Sequence, residues 1–203
     1  MEATGKISKP RGRPSEFDHD AALEAALKLF WAQGYEGTSM ADLTQALGIN
    51  KPSIYAAFGN KEALFKKTLA KYAQETVRLL PDALNATTAK KTVEAFLTSA
   101  ATLLTNPATP KGCLIVQGAL ACSQDASAIH QLLAEHRHNL EAAFTKRFEL
   151  AKQQGDLPAD ANSAQLAKLV TTMHQGMSVQ AKSGASKEDL LAIKDILLQS
   201  NIF

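Results

Sequence analysis

The stretch from Ser39 to Phe58 constrains this chain more than any other, because it reads as two short helices joined by a three-residue turn at Gly48. Such a turn needs a backbone with φ > 0, which glycine adopts without a Cβ penalty, and it sets the second helix across the first. Ser39 with Asp42 resembles a capping box, although Glu or Gln is the usual partner at that place. Asn50 can cap the second helix, where Pro52 falls in the first turn and breaks no internal hydrogen bond. Ile54 and Phe58, four apart, then face inward, and Lys51, Pro52, Tyr55 and Ala56 face outward with Ser53 at the flank. One helix can brace on phosphates while the other enters a major groove. The pattern is that of a helix-turn-helix, and it points to DNA.

At 203 residues the chain can bury a substantial core and hold one or two domains. Its net charge of +2 is too small for wholesale coating of nucleic acid. The distribution is more telling: Lys6, Lys9, Arg11 and Arg13 crowd the first fifteen positions against Glu2 alone. A basic arm on a nearly neutral body suits a local anionic target, or serves as a solubilising tail. No apolar h-region follows the basic start, and no apolar run approaches the roughly 20 residues of a membrane helix. The two cysteines, Cys113 and Cys122, make no disulfide framework. Nine positions apart on a helix, they would point to roughly opposite faces. The cytoplasm is the expected compartment.

Helix signals run throughout, with no convincing period-two strand. Asp18 can cap a helix whose Ala22, Leu23, Ala26, Leu27 and Phe30 share one buried face, ended by Gly34 and Gly37. Asn60 can cap a long helix reaching about Leu80, and Pro81 marks a boundary. Further helices are expected over about Thr88–Leu104, Cys113–Cys122, Ser127–Gln154, Ser163–Lys182 and Ser186–Gln199, with a breaker-rich loop at Asn106–Gly112. The expected class is all-α, with about nine helices in a small N-terminal and a larger C-terminal bundle.

Gly34-Tyr35-Glu36-Gly37-Thr38-Ser39, Asp42-Leu43, Leu47-Gly48-Ile49, Ser53-Ile54-Tyr55 and Phe58-Gly59-Asn60-Lys61-Glu62-Ala63-Leu64-Phe65 resemble, in continuous order from about Phe17, the tetracycline-repressor (TetR) family. The resemblance implies a homodimer with an N-terminal DNA-binding domain and a C-terminal ligand-binding and dimerisation domain. On that basis residues 1–16 are a basic arm, 17–65 the helix-turn-helix domain, and 66–203 the ligand-binding and dimerisation domain. DNA contacts carry over to Thr38, Lys51, Pro52, Ser53, Tyr55 and Lys61. Lys51 can meet phosphate or guanine, Ser53 can donate or accept, and Pro52 can touch a thymine methyl. Tyr55 can reach a backbone phosphate, while Thr38 and Lys61 stand at helix starts suited to phosphate. Pro52 stands where many relatives have glycine or another small residue, so the resemblance does not carry over a base preference there. Pro10-Arg11-Gly12-Arg13-Pro14 has the core of an AT-hook, whose arginines would enter an A·T minor groove.

In the C-terminal part, Leu166, Leu169, Val170, Met173 and Met177 form one stripe, and Leu190, Ile193, Ile196 and Leu197 another. Two such helices from each subunit could build a four-helix dimer interface, or each residue could be ordinary core. Gly176 in mid-helix fits a tight crossing at such a seam. Phe96, Cys113, Val116, Gln117, His136, Phe144, Phe148, Met173 and His174 mix apolar walls with a few polar groups, as small-molecule sites do, though each is compatible with plain core. Sparse aromatics argue against a large flat cationic ligand.

Cys113 follows Lys111-Gly112 at an expected helix start, where dipole and lysine could lower its pKa and make it reactive; a buried, inert thiol is the alternative. His136 and His138 diverge by about 200° on a helix, which disfavours a metal site with His130 or His174. No cofactor motif, nucleophile elbow or phosphate loop is present to support an enzyme. The expected function is a ligand-responsive regulator, a repressor that binds a palindromic double-stranded operator as a homodimer and is released by a small-molecule inducer. Its rival is a redox or electrophile sensor acting through Cys113.

Overall fold

The computed structural model describes residues 18–77, 80–120, 123–200 and 202–203, and every regular element in it is helical. The first is α1, His19–Gly37, whose cap Asp18 accepts from the backbone N–H groups of Asp20 and Ala21, both at 3.0 Å. Gly34 interrupts α1 at φ 77°, ψ 174°, a conformation essentially closed to other residues. Then come α2, Met40–Leu47, and α3, Lys51–Phe58, separated by Gly48 in the left-handed region at φ 67°.

Asp42 does complete a capping box: the Ser39 N–H donates to Asp42 Oδ2 at 2.7 Å and the Asp42 N–H to Ser39 Oγ at 3.1 Å. Asn50 Oδ1 accepts from the Ser53 N–H at 2.9 Å, and Asn60 Oδ1 from the Ala63 N–H at 2.8 Å at the start of α4, Lys61–Val77. Phe30, Leu43, Ile54, Phe58, Leu64 and Phe65 close a core between these four helices. Phe65 meets Phe30 edge-on at 5.1 Å and Tyr35 at 5.2 Å. Each such side chain contributes about 1.5–3 kcal/mol when fully buried.

The second half contains α5 (Leu80–Leu84), α6 (Ala89–Leu104), α7 (Leu114–Gln117), a 3-10 turn at Gln124–Ala126, α8 (Ser127–Gln153), α9 (Ser163–Lys182) and α10 (Lys187–Gln199). Among the described residues ten α-helices stand against the expected nine or so, the extra one being α5. Pro81 lies in its first turn, where a missing N–H costs no helical bond, so it starts a helix rather than only ending one.

The helix expected over Cys113–Cys122 is a single turn. Carbonyls in and just after this turn take partners from other helices: that of Ile115 accepts from Arg137 Nη1 at 2.7 Å and that of Gly118 from the Tyr35 N–H at 2.8 Å. Cys122 lies outside the described residues. Trp31 Nε1 donates to the Gly112 carbonyl at 3.0 Å, Lys182 Nζ to the Ala32 carbonyl at 2.7 Å, and Glu36 accepts from the Ser123 N–H at 3.1 Å. The segment around α7 is thereby tied to the last turns of α1, directly before the helix-turn-helix.

Candidate DNA-reading face and ligand cavity

On α3, burial of Ile54 and Phe58 turns Lys51, Pro52, Ser53 and Ala56 to the exposed side, with Tyr55 45% exposed. Lys51 Nζ stands 5.9 Å from the Tyr55 ring centroid, so charge and phenol share one patch. Lys61 is half-buried, its ammonium 4.4 Å from the Tyr35 ring centroid. Burial lowers its pKa, and the carboxylates of Glu36 and Asp42 oppose that shift.

Thr38 is not with the exposed groups. It is 0% exposed and its hydroxyl donates to the Gly34 carbonyl at 2.7 Å, so that proton is already used. Its position braces the α1–α2 junction. Arg11 and Arg13 lie outside the described residues.

Between α1, α4, α6, α7, α8 and α9 lies a cavity of about 260 Å³. Of the nine candidate ligand residues, Phe96, Cys113, Val116, His136 and His174 line it. Phe144 and Phe148 do not; they are fully buried behind the wall, with Phe144 meeting Phe96 edge-on at 4.8 Å. Met173 packs against the core. Gln117 donates through Nε2 to the Ser178 carbonyl at 2.9 Å and so fastens α7 to α9.

Sequence reasoning missed Trp31, Tyr72, Arg137, Asn139 and Gln175 on this wall. Their contacts span tens of residues: Tyr72 Oη donates to Cys113 Sγ at 3.2 Å across 41 positions, and Trp31 meets Tyr72 edge-on at 4.8 Å. No local spacing carries that information. Among the described residues no group of His, Cys, Asp or Glu is placed to hold a metal ion.

Cys113 departs from the reactive reading. Its thiol is buried, and burial pushes its pKa up despite the Tyr72 hydrogen bond and the nearby Arg137 charge, which pull it down. A four-residue helix supplies little dipole to offset that. In a Cys122→Ser background, native protein at pH 8 should label with a thiol reagent at least tenfold more slowly than urea-unfolded protein. Equal rates would restore the sensor reading.

The apolar stripes of α9 and α10 are largely spent inside the chain: Val170, Met177, Leu190 and Leu197 are buried. Leu166, Leu169, Met173 and Ile193 pack against the core. Val179 and Ile196 remain outside, 47% and 70% exposed. Gly176 is also exposed, and a Cβ there would meet nothing within 4 Å, so no contact within one chain requires glycine. No helix among the described residues is long and apolar enough to cross a membrane.

Two family models match this chain. Residues 22–68 match the bacterial regulatory proteins of the tetR family, and residues 89–192 match a tetracyclin repressor-like C-terminal domain. The chain is 35% identical to the HTH-type transcriptional repressor ComR of Escherichia coli strain K12, over 98% of this chain and 95% of that protein. It is 31% identical to the HTH-type transcriptional repressor BdcR of the same strain, over 93% and 91%. Among solved structures, a cysteine mutant of the TetR family regulator CifR, complexed with 26-base-pair double-strand operator DNA, is similar with a TM-score of 0.87. That protein is 39% identical, over 93% of this chain and 98% of that one.

Proposed function

Because this chain belongs to the tetR family of bacterial regulatory proteins, we propose that it is a transcriptional repressor which binds an inverted-repeat operator as a homodimer and lets go when a small molecule occupies the cavity. The observation that carries this reading is the outward face of α3, where Lys51, Pro52, Ser53 and Tyr55 project while Ile54 and Phe58 anchor the helix. Lys61 and the arm residues Arg11 and Arg13 add phosphate and minor-groove contacts. Thr38 acts by holding α2, with its backbone facing the phosphates. Residues 17–65 read DNA and 66–203 bind ligand and pair subunits, in the cytoplasm and without an enzymatic step. The outward Val179, Ile196 and Gly176 fit the seam between two copies.

Two recognition helices engage successive major grooves only if their separation matches the helical repeat of about 34 Å. A ligand that favours another separation shifts the population off DNA, and differential contacts of about 1–3 kcal/mol suffice. Two routes lead from the cavity to α3. Tyr72, Ala73 and Thr76 of α4 line the cavity, and α4 packs on α1. The wall segment from Gly112 to Gly118 is hydrogen-bonded to Trp31 and Tyr35 of α1.

Selection of bound duplexes from a random DNA library tests the reading. An enriched inverted repeat is expected; no enrichment with folded protein would sink it. On the selected duplex, Tyr55→Phe and Lys61→Ala should each weaken binding, and Lys61→Ala should reduce the salt slope by about 1. Removing the arm through Pro14 should cost more on A·T-rich than on G·C-rich flanks. Unchanged affinity in all three would remove the assigned contacts.

A further inference from the structure

We propose that the cavity accepts a small organic monoanion, an apolar body carrying one carboxylate-type head that pairs with Arg137. This rests on the reading of the cavity as the effector site. Among the described residues that line the cavity, Arg137 carries the one permanent charge, and none is Asp, Glu or Lys. Its Nη1 donates to the Ile115 carbonyl at 2.7 Å, which fixes the guanidinium against α7. Among the described residues no carboxylate stands within ion-pair distance of it.

A half-buried cation at an apolar wall loses part of its hydration, and the single bond to the Ile115 carbonyl leaves most of its donors to be met by an anion. A carboxylate offers the planar, two-oxygen partner that a guanidinium fork fits, in surroundings where such bonds are strong. The same charge repels an ammonium ligand, and no acid among the described lining residues would receive one.

The rest of the wall specifies the body of the ligand. Trp31, Phe96, Leu103, Ile115, Val116 and Leu140 present hydrocarbon. His174 adds a ring kept neutral by burial, its pKa lowered to about 4, so it does not compete as a second cation. A volume of about 260 Å³ lies at the small end of the roughly 300–1,000 Å³ of small-molecule sites, which suits a ligand of on the order of ten non-hydrogen atoms. That is the size of a medium-chain or arylacetic acid.

The test is calorimetric titration of the full-length protein at pH 7.5 with octanoate and phenylacetate, with the alcohols of the same carbon skeletons, and with octylammonium. At least one acid should bind tenfold or more tighter than its alcohol, since hydrogen bonds to a charged group are the stronger ones, and octylammonium should bind weakest. Arg137→Gln should bring the acid down to the level of the alcohol and leave the affinity for the alcohol within twofold. Should that variant fail to fold, Arg137→Lys keeps the charge but not the fork, and its preference for the acid should shrink without vanishing.

Alcohols binding as tightly as acids, neither acid binding, or an undiminished preference in Arg137→Gln would each overturn the proposal. Operator affinity, measured in parallel, separates the two readings. Acids that bind with the stated preference but leave DNA binding unchanged support the ligand class and count against the cavity as an effector site.

Discussion

Gly34→Ala is expected to lower the melting temperature by roughly 5–10 °C and to weaken operator binding about tenfold at a temperature where the variant is still folded. The first effect follows from φ 77°, ψ 174° at this position, a region where a Cβ-bearing residue costs of order 1–3 kcal/mol. For a chain of this size each kcal/mol moves the midpoint by about 2–4 °C. An added Cβ would also stand 3.2 Å from the Gly118 carbonyl oxygen, which is the acceptor for the Tyr35 N–H.

Relief of that contact has to part α1 from the α7 segment or turn the end of α1, and Thr38 hangs on the Gly34 carbonyl at that end. The helix-turn-helix is therefore displaced along with the strain, and a tenfold loss corresponds to 1.4 kcal/mol. Gly155→Ala is the comparison. Gly155 also has a positive φ, 75°, but a Cβ there meets nothing within 4 Å and no DNA-proximal element depends on it. It should lose stability without losing operator affinity. Matching behaviour of the two variants in both measurements would refute the role given to Gly34.

The second large effect concerns pH. His174, half-buried with its ring centroid 5.2 Å from that of Phe96, has a pKa lowered by burial to about 4. In the unfolded chain the same imidazole takes up its proton near pH 6.5. Above that value both states are neutral and the group costs nothing. Between about pH 6.5 and 4 the unfolded state binds a proton that the folded state refuses, so stability falls as pH falls. The slope approaches 1.4 kcal/mol per pH unit and the total reaches up to about 3 kcal/mol near pH 4.

Urea unfolding at intervals from pH 7.5 to 4.5 measures this directly. His174→Gln should be flatter than the parent across that window, and the difference between the curves should vanish above pH 7. Asp42, Asp189 and Glu36, whose carboxyl pKa values are lowered by hydrogen bonds from Ser39, Ser186 and Ser123, lose their contributions toward the acid end of this window and beyond it, equally in both proteins. Superimposable curves would show that His174 takes up its proton in the native state.

Much of the candidate DNA-reading face was legible because its signals are local. Asp18, Ser39, Asn50 and Asn60 cap the helices they precede, through bonds to backbone groups two or three residues on. Ile54 and Phe58 are buried as their spacing requires. The burial of Thr38 was not legible, because it depends on how the chain packs after the kink at Gly34 and not on any local spacing. The cavity was only half legible. Phe96 and Phe144 look alike in an amphipathic pattern, yet one lines the cavity and the other supports it from behind.

By itself the sequence determined the all-helical class, the helix-turn-helix with its caps and its left-handed Gly48, and the outward face of α3. These are set by interactions within one or two helical turns, which any window of the chain contains. Only the tertiary structure decided that Cys113 is buried under Tyr72, that Arg137 meets an apolar cavity with no counter-charge among the described residues, and that α7 is fastened to α1 through Gly112 and Gly118. Burial and electrostatic environment belong to surfaces assembled from distant segments. A thiol's acidity or a guanidinium's need for an anion is therefore settled by packing, not by neighbours along the chain.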